Sequence, residues 1–490
     1  MRICELTAVM PEHILPPEVN RDIELIPTVD PAEIKENSLL YIYKRINGGY
    51  NIDFDKIERL PYAIVSDIDL VCDIKIPIIR TEKVRKSLSY AFYIESGFDK
   101  SKTKLIAVTG TNGKTSTSTI IHNVLNGLGV KCGQIGTGIL RSGSTTLSDE
   151  NYNMTTPDAD MLFMKMREMQ RMGCEVIVME VSSHSIAFDK ITPLFFDIAL
   201  FTNLSSEHLD FHRDMESYYL TKLKLFDHCQ KGVFNIDDDY GKRAYTESGC
   251  DKLSFGILER GEIYCTDIEY HGLSGTDFYY CDDKRIFKIS TPLPGCFNIY
   301  NCALAMSAIL ELGIPASKAK AEISTVSSIS GRMEIVHERP TVIIDYAHTP
   351  LAMDNVLQTL HSQLKSRQRL IIIFGCGGDR DKTKRAVMGK IASKYADKIY
   401  LTEDNSRSED PKDIIADILN GIKNRENVTV IYSRKEAIIK ALREAKEDDV
   451  IAIIGKGHER YIIDKEGKRD FNEPDIIKNF YEVNTNQNAN

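Results

Sequence analysis

One stretch constrains this chain more than any other, an apolar strand that enters a glycine-bearing turn and leaves it as a helix. Leu105-Ile106-Ala107-Val108 is the strand, Thr109-Gly110-Thr111-Asn112-Gly113-Lys114-Thr115-Ser116 the turn, and Thr117 to Leu128 has helical apolar spacing. Glycines let backbone N–H groups approach an anion, the helix N-terminus points its dipole at it, Lys114 adds a point charge and the Thr115 hydroxyl can hold Mg²⁺. The turn therefore reads as an ATP site formed by Gly110, Thr111, Asn112, Gly113, Lys114, Thr115 and Ser116. It departs from the G-x-x-x-x-G-K-[ST] pattern at Val108, which stands in place of the first glycine, and the competing reading is a strand-to-helix turn that binds nothing.

A strand–loop–helix unit of this kind calls for a parallel sheet wrapped by helices, and the chain supplies the repeats. From 105 to about 331, apolar β-branched runs (Glu175 to Met179, Ile198 to Phe201) alternate with helical patterns (Asp158 to Met172, Met215 to Cys229), with an antiparallel excursion between Glu262 and Ile289. After Ser330-Gly331-Arg332 a second series begins. Its strands are Val342 to Asp345, Leu370 to Phe374, Lys398 to Thr402, Val428 to Ile431 and Val450 to Ile454, and its helices Leu351 to Leu364, Ala386 to Tyr395, Pro411 to Ile422 and Arg434 to Ala445. Residues 1–98 carry short strands (Leu39 to Tyr43, Tyr62 to Val65, Ile78 to Arg80) and read as a small α/β domain. The run Asp99 to Lys104 suits a linker or a surface turn equally well. At 490 residues the chain is too long for one core. The expected architecture is α/β in three domains: 1–98, a central P-loop-type parallel-sheet unit at 99–331, and a Rossmann-like doubly wound unit at 332–490. The polar tail Asn484 to Asn490 is expected to be disordered.

A net charge of -9 without a long basic run argues against nucleic acid as a partner, and no window has the apolar length of a membrane span. The N-terminus lacks a signal pattern, so a cytoplasmic, monomeric protein is expected. Eleven scattered cysteines (Cys4, Cys72, Cys132, Cys174, Cys229, Cys250, Cys265, Cys281, Cys296, Cys302, Cys376) with no C-x-x-C pair read as reduced thiols.

Acidic and imidazole groups recur at the ends of expected strands: Glu180 with Val181-Ser182-Ser183-His184, then Glu207-His208-Leu209-Asp210-Phe211-His212. Beside a phosphate loop they are candidate Mg²⁺ ligands, whereas His184 or His212 taken singly reads better as a capping or core group. With the loop, these segments resemble the Mur ligase family, which joins an amino acid to a carboxylate at the expense of ATP. The resemblance extends through Phe201-Thr-Asn-Leu204, Gly295-Cys-Phe-Asn298-Ile-Tyr-Asn301, Ser330-Gly-Arg332-Met-Glu334 and Asp345-Tyr-Ala-His348-Thr-Pro350.

It implies that Thr115, Glu180 and His208 hold Mg²⁺, Lys114 and the loop amides the phosphates, Asn298 and Asn301 the adenine, and Arg332, Asp345 and His348 the nucleotide from a domain seam. Lys222 falls where the family has a lysine that CO₂ converts to a carbamate; read without the resemblance it is a solvated helix lysine. The implied reaction makes an acyl-phosphate that an amine then attacks, so neutralising crowded anions is the main demand. Gly375-Cys-Gly-Gly-Asp-Arg380, Asp404-Asn405-Ser406-Arg407 and Gly455-Lys-Gly-His458-Glu459 resemble the amino-acid-selecting segments of the MurE-type, tripeptide-synthetase branch. Arg407 can fork onto a distal carboxylate, as diaminopimelate has and lysine lacks, although Ser406 replaces the usual proline.

Thr155, Thr156 and Ser182 match the segment that meets the UDP-linked peptide, but Phe188 and Lys190 stand where polar and Arg residues are usual. At the uridine end, Pro31 and Ala32 replace Ser and Arg, removing a donor and a charge. The implied partners are thus a UDP-linked cell-wall precursor peptide and a free amino acid. An archaeal pseudomurein peptide ligase acting on a non-muramyl UDP-peptide is the alternative, and a nucleotide-binding regulator without catalysis a further one. Folylpolyglutamate synthase shares the loop but leaves the three C-terminal motifs without a role.

Overall fold

The computed structural model describes residues 1–45, 49–52, 57–67, 76–148, 152–209 and 211–488, with side chains to 482. Cys72, Asp210 and the end of the polar tail lie outside the described residues. Three large sheets account for the expected α/β architecture.

The first is a four-stranded parallel sheet, Ile26–Thr28, Ser38–Ile42, Ala63–Ser66 and Ile78–Arg80, in sequential order. Ile26–Thr28, three residues long, is the strand that sequence pattern does not pick out. The helix Val84–Ser96 follows the last strand and buries Val84, Leu88 and Ala91 against it.

The second sheet has eleven strands. Lys104–Thr109 lies between Val176–Glu180 and Phe196–Phe201, all parallel, with Val108 opposite Glu180 and Thr109 opposite Phe201. This register sends the glycine turn, Glu180 and Thr202-Asn203 out at one carboxyl edge, the ligand edge of open α/β sheets. The expected antiparallel excursion is present as Ile263–Tyr270, Thr276–Cys281 and Ile286–Thr291. The helix Lys114–Gly127 after the turn packs on Cys296–Glu311, whose apolar residues bury Ile299, Ala303 and Met306 with Ile120 and Val124. A helix this apolar all round belongs inside a core.

The expected helix Met215 to Cys229 is shorter. It ends at Leu223, a 3₁₀ turn takes Lys224–His228, and Cys229 opens the strand Cys229–Asn235. The tighter turn places both Leu225 and Phe226 in the core and lets Cys229 pair with Phe196.

The third sheet has the order Glu334–Glu338, Thr341–Asp345, Val450–Ile454, Leu370–Phe374, Lys398–Leu401 and Val428–Val430, antiparallel only at its first pair. Its central strands are buried on both faces, which is why they read as unbroken apolar runs. A hairpin (Tyr461–Asp464, Gly467–Asp470) and the helix Glu473–Asn488 complete this unit. That helix enters the tail expected to be disordered. Its start is held by the Arg434–Glu473 ion pair (2.6 Å, both side chains fully buried) and its middle by Ile477 and by Tyr481 stacked on His337, so helix propagation carries it to Asn488. Among the described residues no helix is long and apolar enough to cross a membrane, and the ten described cysteines are free thiols.

Breaking a buried ion pair from one side leaves a charge without a partner. Glu473→Ala should therefore destabilise the protein by about 3–5 kcal/mol, read as a lower urea midpoint.

Candidate active site

The carboxyl edge of the central sheet faces the third sheet across a cavity of about 820 Å³. Thr111 to Ser116, Thr137, Thr155, Glu180, Glu207, His208 and Asn301 line it from one side, Arg332, Asp345 and His348 from the other.

The glycine turn is tied to the next strand before any anion enters. Thr111 N donates to Asn203 O (2.8 Å), Asn112 N to Asn203 Oδ1 (3.0 Å), and Thr202 Oγ1 to Asn112 O (2.6 Å). Gly110 has φ of 138°, and a Cβ there would lie 1.9 Å from Thr202 Oγ1. Gly113 has φ of 88° and would place a Cβ 2.6 Å from Asn301 Oδ1. Both glycines are thus required by conformation and by close approach.

Two ammonium groups converge inside this turn. Lys114 Nζ donates to Gly110 O (3.0 Å) and Thr111 O (2.8 Å), and Lys222 Nζ, on the helix Met215–Leu223, donates to the same Gly110 O (3.0 Å). Lys222 is 1 % exposed, so the solvated-lysine reading is excluded. Burial, reinforced by Lys114, pulls its pKa well below the usual lysine value, and burial lowers that of Lys114 too. Burial and the neighbouring Lys114 thus both disfavour the charged form of Lys222.

Glu180 is fully buried, and its carboxylate accepts Thr137 N (3.1 Å) and Thr137 Oγ1 (3.2 Å). Thr137 Oγ1 also meets Thr155 Oγ1 at 3.0 Å. Thr156 Oγ1 donates to Glu180 O (2.9 Å) and accepts Ser182 N (3.3 Å), while Ser182 caps the short helix Ser183–Ala187. The three residues aligned with the acceptor segment therefore gather round Glu180, with Thr155 alone on the cavity wall. Burial, aided by Lys114, Lys222 and His348 against the opposing Glu207, pushes the His208 imidazole down to about 4. It is neutral at pH 7, as a metal ligand must be.

Across the seam, Arg332 Nη2 donates to Thr115 Oγ1 (3.1 Å), while its buried Nε has no partner. Both Asp345 oxygens are taken by backbone amides, Met333 N and Ala347 N at 2.7 Å each, so this carboxylate fixes the segments that carry Arg332 and His348. Asn301 lines the cavity, whereas Asn298 turns its amide to Pro294 O and to Asn301.

Glu207, which the sequence offered with His208 as a candidate Mg²⁺ ligand, meets two imidazoles. Its Oε1 lies 2.6 Å from His348 Nε2 and its Oε2 3.8 Å from His208. Burial alone would raise this carboxyl, but His348, the hydrogen bond to it, His208 and Lys114 together hold it well below the usual range. Only its place beside His208 in the sequence hinted at this.

The amino-acid-selecting segments meet at the carboxyl ends of three adjacent strands, Val450–Ile454, Leu370–Phe374 and Lys398–Leu401. Arg407 has φ of 51° and spends Nη1 on Gly378 O (2.7 Å) and Asn405 O (3.3 Å). Arg380 is exposed and borders a second cavity of about 520 Å³. Asn405 Nδ2 donates to Glu459 Oε2 (2.9 Å), and a Cβ on Gly455 would lie 2.7 Å from Asp404 Oδ2.

At the far end, Asp30 caps the turn Pro31–Glu33 by accepting Ala32 N (2.9 Å). Lys190 is ion-paired with Asp158 at 2.6 Å, and Phe188 lies under the Arg85 guanidinium, which also covers Tyr43.

Residues 108–309 match the Mur ligase middle domain and residues 331–457 the Mur ligase glutamate ligase domain. A UDP-N-acetylmuramoyl-L-alanyl-D-glutamate--2,6-diaminopimelate ligase of Clostridium acetobutylicum is 36% identical over 92% of this chain and 93% of its own length. The ligase of that name from Aquifex aeolicus is 37% identical over 92% of each. The chain belongs to the Mur ligase family. A solved diaminopimelate-adding Mur ligase overlays with a TM-score of 0.68 at 24% identity, covering 99% of this chain and 100% of that one. Mur ligases use ATP and Mg²⁺. The residues present suit both: a glycine cradle that a Cβ would fill, an orphaned Arg332 Nε, and the carboxylate, neutral imidazole and hydroxyl of Glu180, His208 and Thr115.

Gly110→Ala should abolish ATP binding in calorimetry, because both the φ and the contact with Thr202 forbid the side chain. Glu207→Gln should lower kcat tenfold to hundredfold, since a charge-assisted hydrogen bond contributes about 1.5–3 kcal/mol.

Proposed function

We propose that this Mur ligase adds meso-diaminopimelate to UDP-N-acetylmuramoyl-L-alanyl-D-glutamate, with residues 1–98, 99–331 and 332–490 serving the UDP end, ATP and the amino acid respectively. As a family member the protein is an ATP-dependent, ADP-forming amide-bond ligase. The observation that carries the site is the pair of buried lysine amines on Gly110 O, of which Lys114 lines the cavity that Arg332 and His348 border from the other side.

The acceptor carboxylate attacks the γ-phosphorus and ADP departs; the amine of the incoming amino acid then attacks the acyl carbon and phosphate leaves. Lys114, the amides of Gly110 to Ser116 and Arg332 hold the phosphate oxygens, and Asn301, seated on Asn298, borders the adenine. Thr115, Glu180 and His208 would hold Mg²⁺, which would supply neutralisation of phosphate charge. His348, held by Glu207, reaches the nucleotide as the seam closes. The unprotonated Lys222 amine attacks CO₂, forming a C–N bond and releasing a proton to solvent, and the carbamate places an anion beside Lys114. Thr155, with Thr156 and Ser182 behind it, receives the acceptor peptide. Arg407 and Arg380 receive the distal carboxylate of the amino acid, and Asp404, Asn405, Gly455 and Glu459 its distal ammonium.

Phosphate release should appear only when ATP, the UDP-muramyl dipeptide and meso-diaminopimelate are all present. Release with a non-muramyl UDP-peptide instead would favour the pseudomurein ligase reading, for which Pro31 and Ala32 speak, and release with no pair would reduce the protein to a nucleotide-binding regulator. Arg407→Ala should raise the KM for the amino acid at least tenfold and leave the KM for ATP unchanged. Lys222→Arg should remove both activity and the carbamate signal that ¹³C-bicarbonate gives in NMR.

A further inference from the structure

Between Gly455 and Glu459 lies a side chain that the resemblance assigns no role. Lys456 is completely buried, yet its Nζ lies 3.1 Å from Asn405 Oδ1, 3.0 Å from Glu459 Oε2 and 3.8 Å from Asp404 Oδ1, within 5.5 Å of the Tyr461 ring centre. Asn405 Oδ1 and Glu459 Oε2 accept from the ammonium, and Asp404 Oδ1 faces it as an ion-pair partner.

We infer that Lys456 is the positioning residue that sets the charge and orientation of the amino-acid site, and so its preference for a substrate whose distal head carries both an ammonium and a carboxylate. This rests on the diaminopimelate reading above. The orientation argument starts at Asn405. Its Oδ1 accepts both Lys456 and Ile463 N (2.9 Å), and its Nδ2 donates to Glu459 Oε2, so only one amide orientation satisfies all three. Glu459 Oε2 in turn accepts from both Lys456 and Asn405, which fixes the carboxylate plane.

The charge argument follows from what surrounds the cluster. Arg434 lies 4.0 Å from Asp404 and 2.6 Å from Glu473, so its single charge is shared between two carboxylates, and Asp404 draws on both Lys456 and Arg434. Asp404, Glu459 and Glu473 then bring three negative charges and Lys456 and Arg434 two positive, a surplus suited to one incoming ammonium. Arg407, which donates to Asn405 O, and the exposed Arg380, which shares the neighbourhood of Gly377 with it, suit one carboxylate. Without Lys456 the site would carry a second uncompensated carboxylate, which strengthens attraction for any ammonium and weakens it for the substrate carboxylate. Lysine, lacking the distal carboxylate, would gain relative to diaminopimelate.

The test is steady-state kinetics of the full-length enzyme with ATP and the UDP-muramyl dipeptide, comparing meso-diaminopimelate with lysine for the unsubstituted protein, Lys456→Met and Lys456→Arg. The unsubstituted protein decides the diaminopimelate reading by itself. If it prefers another amino acid, the comparison is made between that acid and its analogue lacking the distal carboxylate. Lys456→Met should raise the KM for the preferred acid at least tenfold, keep the KM for ATP within twofold and shift the kcat/KM ratio at least tenfold toward lysine, with Lys456→Arg restoring most of the ratio. Parallel losses for both amino acids, or an equal rise in the KM for ATP, would overturn the inference. Should Lys456→Met fail to fold, Lys456→Gln and Lys456→Arg carry the same comparison, and an unchanged ratio in both would overturn it equally.

Discussion

Two ammonium groups donating to one carbonyl oxygen is an arrangement a protein interior tolerates only for a reason. Lys114 and Lys222 both point at Gly110 O, each buried and each with its pKa pulled down. Burial penalises the charged form, and the second cation penalises it again. The carboxylates that favour a charged Lys114 are Glu207, already paired with His348, and Glu180, already bonded to Thr137. The turn is therefore short of anions, and phosphate oxygens from one side and a carbamate on Lys222 from the other are the groups that would balance it. Much of the remaining architecture serves to hold this imbalance still: the parallel register that brings Glu180 and Thr202-Asn203 to one edge, and the helix pair that packs Ile120 and Val124 against Ile299 and Ala303.

The same electrostatic logic connects the two halves of the cavity. Glu207 belongs to the central sheet and His348 to the third, and their 2.6 Å contact crosses the seam beside Arg332 on Thr115. Such contacts depend on how the two sheets sit against one another. A shift that separates Arg332 from Thr115 would also separate His348 from Glu207, so the loop helix and the C-terminal unit are coupled through charge as well as through packing.

Elements with strong periodicity were legible from sequence: the buried strands of the third sheet, the antiparallel excursion and the loop helix lie where apolar pattern puts them. Other elements were not, and three of them show why. Ile26–Thr28 is too short to show a period, the 3₁₀ turn at Lys224–His228 has the apolar spacing of the helix it ends, and the helix Glu473–Asn488 depends on Arg434, 39 positions away in sequence. The site divides similarly. Lys114, Glu180 and His208 could be named because local motifs carry them, and the family supplied Lys222. Glu207, Thr137 and Lys456 acquire roles only through partners distant in sequence, which spacing alone cannot reveal.

The departures at the N-terminal end are best weighed by what the structure does with them. Pro31 and Ala32 supply neither the hydroxyl nor the charge that the resemblance would place there, and Asp30 spends its side chain on capping the turn they form. A cation does stand at the carboxyl edge of the same sheet. Arg85, in the first turn of Val84–Ser96, lies 4.2 Å above Tyr43, just after the strand Ser38–Ile42, and 4.8 Å above Phe188, at the end of the helix Ser183–Ala187, so two aromatic faces restrain it. Phe188, in place of a polar residue, thus trades a direct polar contact for a surface that holds an arginine. The turn at Pro31 and Ala32 offers neither hydroxyl nor charge while a guanidinium is held beside Phe188, so the acceptor recognition proposed for residues 1–98 has to begin from Arg85 and Phe188 as much as from the turn itself.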